Sequence, residues 1–243
     1  MGVSEFIQID KRTMQQIKTQ KNIEFKTVTD LEGFKLKSEL MGMTTYHKNH
    51  ILIAETKDTM TVVSDRKIWL NEEVFENTSF THVNLSNTYT DKLEHLFKNN
   101  VIRHIDLGNI QVSDLSNLRG AFSSSFLVRD INLGELDISK ATDMANMFSY
   151  CKAIKTIKIN GSNNILNTVE SMFSGCKNLI KVDLGDIDIP YGCSTISMFR
   201  GCRALKEIKA PQTSSDAFLD GIGTLIEVQD CTLICKDKIL DLV

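Results

Sequence analysis

The sequence predicts an α/β repeat fold, a solenoid with a parallel sheet on one face and short helices on the other, and three observations carry that prediction. Phe97, Phe122, Phe148, Phe173 and Phe199 fall 25, 26, 25 and 26 residues apart. Ile105, Ile131, Ile157, Val182 and Ile208 are spaced 26, 26, 25 and 26, so a second column keeps the same period. Within each copy the apolar pattern changes from two-residue alternation to helical spacing. Shared periods of roughly 20–50 residues mark stacked units that cannot bury their own apolar faces alone.

Residues 1–75 do not follow the period. Residues 50–54, 60–63 and 67–70 read as short strands separated by polar turns, a meander within a small N-terminal domain or cap. A degenerate first coil follows, with Val83 and Leu85 ahead of Leu93, Leu96 and Phe97; its strand lies 22 residues before Ile105. The array then occupies residues 76–212 as about five coils. Its strand halves are 102–107, 128–133, 154–159, 179–184 and 205–210, each apolar-x-x-apolar-x-apolar, with the turn formers Gly108, Gly134, Asn160 and Gly185 behind four of them. The other half has apolar residues at i, i+3, i+4 and i+7, as in Met144, Met147, Phe148 and Cys151 or Val169, Met172, Phe173 and Cys176, and predicts a short helix. Stacking makes the phenylalanines an aromatic spine, each ring worth roughly 1.5–3 kcal/mol on burial. After Pro211, residues 213–216 read as a break, and 225–228 with 232–235 as closing strands of a cap over 213–243.

The 243 residues carry 28 Lys+Arg against 31 Asp+Glu, a formal net charge of −3, which disfavours a charge-driven nucleic-acid binder. No apolar run approaches a bilayer span, so no membrane association is expected. The first twenty residues show no apolar signal core, and Gly2 lacks the Ser or Thr that a myristoylation motif wants where Phe6 stands. With six cysteines and no export signal, reduced thiols in the cytoplasm are expected.

The runs Ala145-Asn146-Met147-Phe148-Ser149-Tyr150-Cys151, Ser171-Met172-Phe173-Ser174-Gly175-Cys176-Lys177-Asn178-Leu179 and Ser197-Met198-Phe199-Arg200-Gly201-Cys202-Arg203-Ala204-Leu205, with Val182-Asp183-Leu184-Gly185, resemble the BspA-type leucine-rich repeats. The resemblance covers about residues 100–211 and implies a leucine-rich-repeat-like solenoid. It further implies surface adhesion or protein–protein binding, with no shared catalytic site. The Phe122 copy departs, having Ser125 where the others have Cys.

Cys151, Cys176 and Cys202 share one repeat position and read as small buried hydrophobes rather than metal ligands, since zinc sites bring closely spaced pairs on loops. Cys193, Cys231 and Cys235 lack further local ligands. His47 and His50 offer half a metal site or a polar turn before a strand, and the turn is favoured because no acidic partner is near in sequence. Neither a nucleophile elbow nor a phosphate loop is present, and the run Ser123 to Ser125 reads as a helix-terminating turn. No catalytic residue, metal or cofactor is expected.

The exposed strand positions form two mixed columns, His104, Asp130, Thr156, Lys181, Glu207 and Asp106, Asn132, Lys158, Asp183, Lys209. They are the candidate contact surface for another protein, against a reading as cross-strand ion pairs worth tenths of a kcal/mol. A flanking basic column, Arg103, Arg129, Lys155 and Lys206, is interrupted by Ile180 and reads as solvated. The chain is thus expected to be a non-enzymatic protein-interaction module, by analogy an intracellular inhibitor or effector of a phage, mobile element or parasite. A surface adhesin that has lost its export signal and an enzyme with a site in the first 75 residues stay open. An unpaired end strand also leaves homodimerisation open.

Overall fold

The structure, a computed structural model, describes residues 6–210, 231–235 and 239–242, except positions 10, 19–21, 49, 58, 72, 73, 77 and 160. The elements in chain order are β1 (Phe6–Gln8), α1 (Lys11–Lys18), β2 (Asn22–Thr27), α2 (Leu31–Leu40), β3 (Thr44–Lys48), β4 (Ile51–Glu55), β5 (Thr59–Ser64) and β6 (Lys67–Trp69). They continue with β7 (His82–Asn84), β8 (Thr88–Lys92), β9 (His104–Asp106), β10 (Gln111–Asp114), β11 (Asp130–Asn132), β12 (Thr156–Lys158) and β13 (Ser162–Asn163). The last are β14 (Lys181–Asp183), β15 (Asp186–Ile187), β16 (Glu207–Ala210), β17 (Cys231–Cys235) and β18 (Ile239–Leu242).

The described residues are mostly β, with 34% in strands and 10% in helices, which overturns the predicted helix-bearing α/β solenoid. Among the described residues the two α-helices both precede residue 41, outside the repeats, and one 3-10 turn covers Ile138–Lys140. Where helices were expected the chain makes consecutive tight turns. The amides of Gly120, Phe122 and Ser124 donate to the carbonyls of Ala145, Met147 and Ser149 in the next coil at 2.9, 2.9 and 2.7 Å. The alternate amides of Ala121, Ser123 and Ser125 donate back three residues within the coil. An α-helix needs every amide bonded four residues back along its own chain, so a coil that sends half of them to its neighbour cannot be one. Left-handed residues close these turns at four-residue intervals: Gly120 and Ser124 (φ 60° and 60°), Asn146 and Tyr150 (57° and 59°), Ser171 and Gly175 (54° and 76°), Ser197 and Gly201 (55° and 74°). A left-handed third residue with an i to i+3 bond is type II turn geometry.

The inward side of the turns carries the phenylalanines. Phe97, Phe122, Phe148, Phe173 and Phe199 stack at centroid distances of 5.2, 5.3, 5.6 and 5.3 Å, with planes within 9° of parallel. Phe75 continues the stack one step earlier, tilted by 51° at 4.6 Å. The cysteines beside the spine hold successive coils together. The thiols of Cys151, Cys176 and Cys202 donate to the carbonyls of Phe122, Phe148 and Phe173 at 3.2, 3.0 and 3.1 Å.

Two sheets line one side of the coils, a seven-stranded sheet in the order β11-β9-β7-β2-β5-β4-β3 and a five-stranded sheet in the order β12-β14-β16-β17-β18. The order β1-β6-β8-β10 forms a third sheet and β13 pairs with β15. Of the expected meander, 50–54 and 60–63 are β4 and β5 and pair antiparallel, with β3, which was not expected, added antiparallel to β4, whereas β6 lies in the third sheet, parallel to β1 and β8. β2 lies between β5 and β7, parallel to both, with Ile23 opposite Met60 and Val83, so pairing runs across residue 75. Leu31 and Phe34 of α2 pack on Leu52 and Val63, which covers the outer face of this end of the sheet. At the other end β17 pairs parallel with β16 and antiparallel with β18. The expected break at 213–216, the strand at 225–228, the N-terminal residues 1–5 and the side chain of Cys235 lie outside the described residues.

Candidate binding face

In a strand, side chains alternate between faces, so Ile23, Val83 and Ile105 turn to the core while their neighbours turn outward. Register places Asn22, His82, His104 and Asp130 in one outward row and Glu24, Asn84, Asp106 and Asn132 in the next. These two rows line a hollow of about 350 Å³ on the outer face of the seven-stranded sheet.

The side chains of the hollow hold one another. The rings of His82 and His104 stack at 4.3 Å with planes 12° apart, and His104 Nδ1 lies 2.8 Å from Asp130 Oδ2. Burial, the neighbouring His104 and the charge of Arg103, in that order, push the His82 imidazole below its ordinary value. Asn132 Nδ2 donates to Asp106 Oδ1 at 2.8 Å. The second row also shapes the backbone, because the side-chain oxygens of Asn84, Asp106 and Asn132 accept from the amides of Ser86, Gly108 and Gly134 at 2.9, 3.0 and 3.0 Å. These are Asx turns, which fix the chain as it leaves each strand.

The remaining column residues stand on a different surface. β11 and β12 are end strands of separate sheets, so each column breaks between Asp130 and Thr156 and between Asn132 and Lys158. In the five-stranded sheet Thr156 lies opposite Lys181, and Lys181 opposite Glu207, with Lys181 Nζ 2.6 Å from Glu207 Oε1. That bond holds the Lys181 ammonium above its usual value. Lys209 Nζ lies 3.4 Å from Asp183 Oδ2, and Asp183 accepts the amide of Gly185 at 2.9 Å. Solvent screens pairs as exposed as these, so they add little to stability. This half spends its charges on itself, apart from Lys158, which has no acidic partner among the described residues.

The other singled-out residues have structural partners. His47 Nδ1 lies 3.0 Å from Glu32 Oε1 and His50 Nδ1 lies 3.0 Å from Asp65. The carboxylates that seemed missing are distant in sequence but brought in by α2 and by the strand after β4. The run Ser123 to Ser125 lies between stacked turns, not at a helix end; Ser123 Oγ lies 2.9 Å from Ser149 Oγ, and Ser125 donates to the Phe97 carbonyl at 2.8 Å. Burial pushes the thiols of Cys151 and Cys202 up to about 12 and those of Cys193 and Cys231 up to about 11, with Cys176 raised as well. They are protonated side chains with little thiolate character.

Asn22, Glu24, His82 and Asn84 were not among the sequence candidates. The degenerate first coil contained the signal for two of them: aligning Val83 with Ile105 makes His82 and Asn84 the counterparts of His104 and Asp106. β2 lies outside the period and offered none.

Among the described residues no group of three or more His, Cys, Asp or Glu side chains could hold a metal ion, and no helix is long and apolar enough to cross a membrane. The family described as "Mycoplasma protein of unknown function, DUF285" matches the chain over residues 37–162 and again over 91–214. Neither a curated protein nor a solved structure matches it.

Proposed function

The chain belongs to the DUF285 family, and we propose that it is a non-enzymatic interaction module that holds another protein against the strand face of its coils. The observation that carries this reading is the hollow over β2, β7, β9 and β11. Its polar side chains stand on paired strands and are tied to one another by the His82–His104 stack and the His104–Asp130 and Asp106–Asn132 contacts. A surface already held in shape loses little side-chain freedom on binding, so more of each contact appears as affinity. An open hollow that runs across four strands suits a protein surface, read across successive strands.

Affinity capture from host-cell lysate tests the proposal, using the intact chain beside a variant carrying His82→Ala, His104→Ala and Asp130→Asn. A second variant carries Lys158→Glu and Lys181→Glu. A protein held by the intact chain and the second variant but lost by the first supports the reading. Capture that survives the first variant, with both variants folded, rejects it.

A further inference from the structure

The strand columns of the last coils alternate in sign from one coil to the next, with Lys181 beside Glu207 and Asp183 beside Lys209. The corner where the tight turns run into the strands does not. Lys152, Lys177 and Arg203 occupy the same place after Phe148, Phe173 and Phe199, and all three are exposed. Backbone contacts hold these corners together. Asn178 Nδ2 donates to the Lys152 carbonyl at 2.8 Å, and the amides of Tyr150 and Gly175 donate to the carbonyls of Ser174 and Arg200, both at 2.7 Å. Successive coils lie at about the 4.8 Å spacing of paired strands, so the three cations form one row along the stack.

Like charges held directly opposite across a ladder repel, and nothing in the row offsets this. Among the described residues none of the three makes an ion pair. Lys152 Nζ lies instead over the Phe126 ring, 4.6 Å from its centroid. A partner that brings negative charge to this row relieves a repulsion that the folded chain otherwise carries.

A second row runs beside the first. The Ile180 amide donates to the Lys155 carbonyl at 2.7 Å and the Lys206 amide to the Ile180 carbonyl at 2.8 Å, which sets Ile180 between two cations. Ile180 is 42% exposed, and Phe126 and Leu127 in the preceding coil are each 44% exposed. Between the two rows the side chains of Ala153 and Ala204 are small and half-buried. The surface is therefore a strip of cations interrupted by apolar side chains, and it shares no residue with the hollow.

We propose that this strip binds an extended acidic segment of a protein, with carboxylates on Lys152, Lys177 and Arg203 and apolar side chains on Ile180 and Leu127. The apolar positions favour a protein segment over a nucleic-acid strand. A single strand binds through cations along its phosphates and rings under its bases. Ile180 and Leu127 offer neither, and the Phe126 ring already carries the Lys152 ammonium.

Fluorescence anisotropy with a labelled peptide of repeated Glu-Leu-Glu tests the proposal. The intact chain should bind it at low salt and more weakly as salt rises. Lys152→Glu with Lys177→Glu and Arg203→Glu should weaken binding at least about tenfold, and Ile180→Ser at least about threefold. The chain carrying His82→Ala, His104→Ala and Asp130→Asn should bind the peptide as the intact chain does. No binding by the intact chain overturns the proposal, as does equal affinity in the charge variant or in Ile180→Ser. Loss of binding in the hollow variant, or tighter binding of an oligodeoxythymidine strand than of the peptide, overturns it as well. If the charge variant misfolds, Lys177→Gln, which removes the middle cation of the row, decides, with a loss of at least about threefold expected.

Discussion

The hydroxyl of Ser125 donates to the backbone carbonyl of Phe97 at 2.8 Å. One coil further on the Cys151 thiol makes the same bond to Phe122 at 3.2 Å, so the serine that breaks the cysteine column keeps its contact. The position requires a small buried donor rather than a thiol as such.

Substitution at Cys176 distinguishes these requirements. Cys176→Ser should keep the bond to Phe148 and change stability less than Cys176→Ala, which removes one of two donors to a carbonyl that also accepts from the Cys151 amide at 3.1 Å and should cost about 0.5–1.5 kcal/mol. Urea midpoints for the two variants check the order.

Phe148 is stacked on both sides, at 5.3 and 5.6 Å from Phe122 and Phe173. Truncation at an interior step leaves a cavity between two coils that cannot close without moving both. Phe148→Ala should therefore lower stability by about 3–5 kcal/mol, read as a fall in the denaturant midpoint.

Gly134 stands in the left-handed region at φ 60°, and a Cβ there would lie 1.7 Å from the Gly108 carbonyl oxygen. Backbone cannot swing aside as a side chain can. Gly134→Ala should cost more than the roughly 1–2 kcal/mol of left-handed strain alone. Gly192, at φ 89° with no atom within 4 Å, is the control, and Gly192→Ala should show the strain alone. Thermal melts of the pair separate the two contributions.

His82 makes stability depend on pH. Its folded imidazole is held below the ordinary 6.5 by burial, His104 and Arg103, with Asp130 on the far side of His104 and the Thr81 hydroxyl at its own Nδ1. The unfolded chain therefore takes up the proton first. Stability should fall as pH drops through 6.5 and level off below the folded value. Unfolding curves on either side of pH 6.5 should show a smaller difference for His82→Asn than for the intact chain.

The strand positions Ile105, Ile131, Ile157, Val182 and Ile208 were legible because period-two alternation with a closing turn former has few other readings. The turn half was not, since Met144, Met147, Phe148 and Cys151 fit a helix and a run of three-residue turns equally well. What separates the two is the left-handed residue at every fourth position, filled by residues as different as Gly120, Ser124, Asn146 and Tyr150. Only glycine and asparagine advertise that conformation in sequence. At the hollow, His104, Asp106, Asp130 and Asn132 were readable from the repeat, and register supplied His82 and Asn84. Asn22 and Glu24 arrive through β2, whose pairing with β7 joins segments about sixty residues apart and leaves no periodic trace.

The most direct test of the strand-face account is a calorimetric titration of the captured partner into the intact chain and into the chain carrying His82→Ala, His104→Ala and Asp130→Asn. Affinity should fall at least about a hundredfold in the variant, near 2.7 kcal/mol, while Lys158→Glu with Lys181→Glu changes it less than about threefold. Equal affinity for the intact chain and the hollow variant, both folded, would contradict the assignment of binding to the hollow.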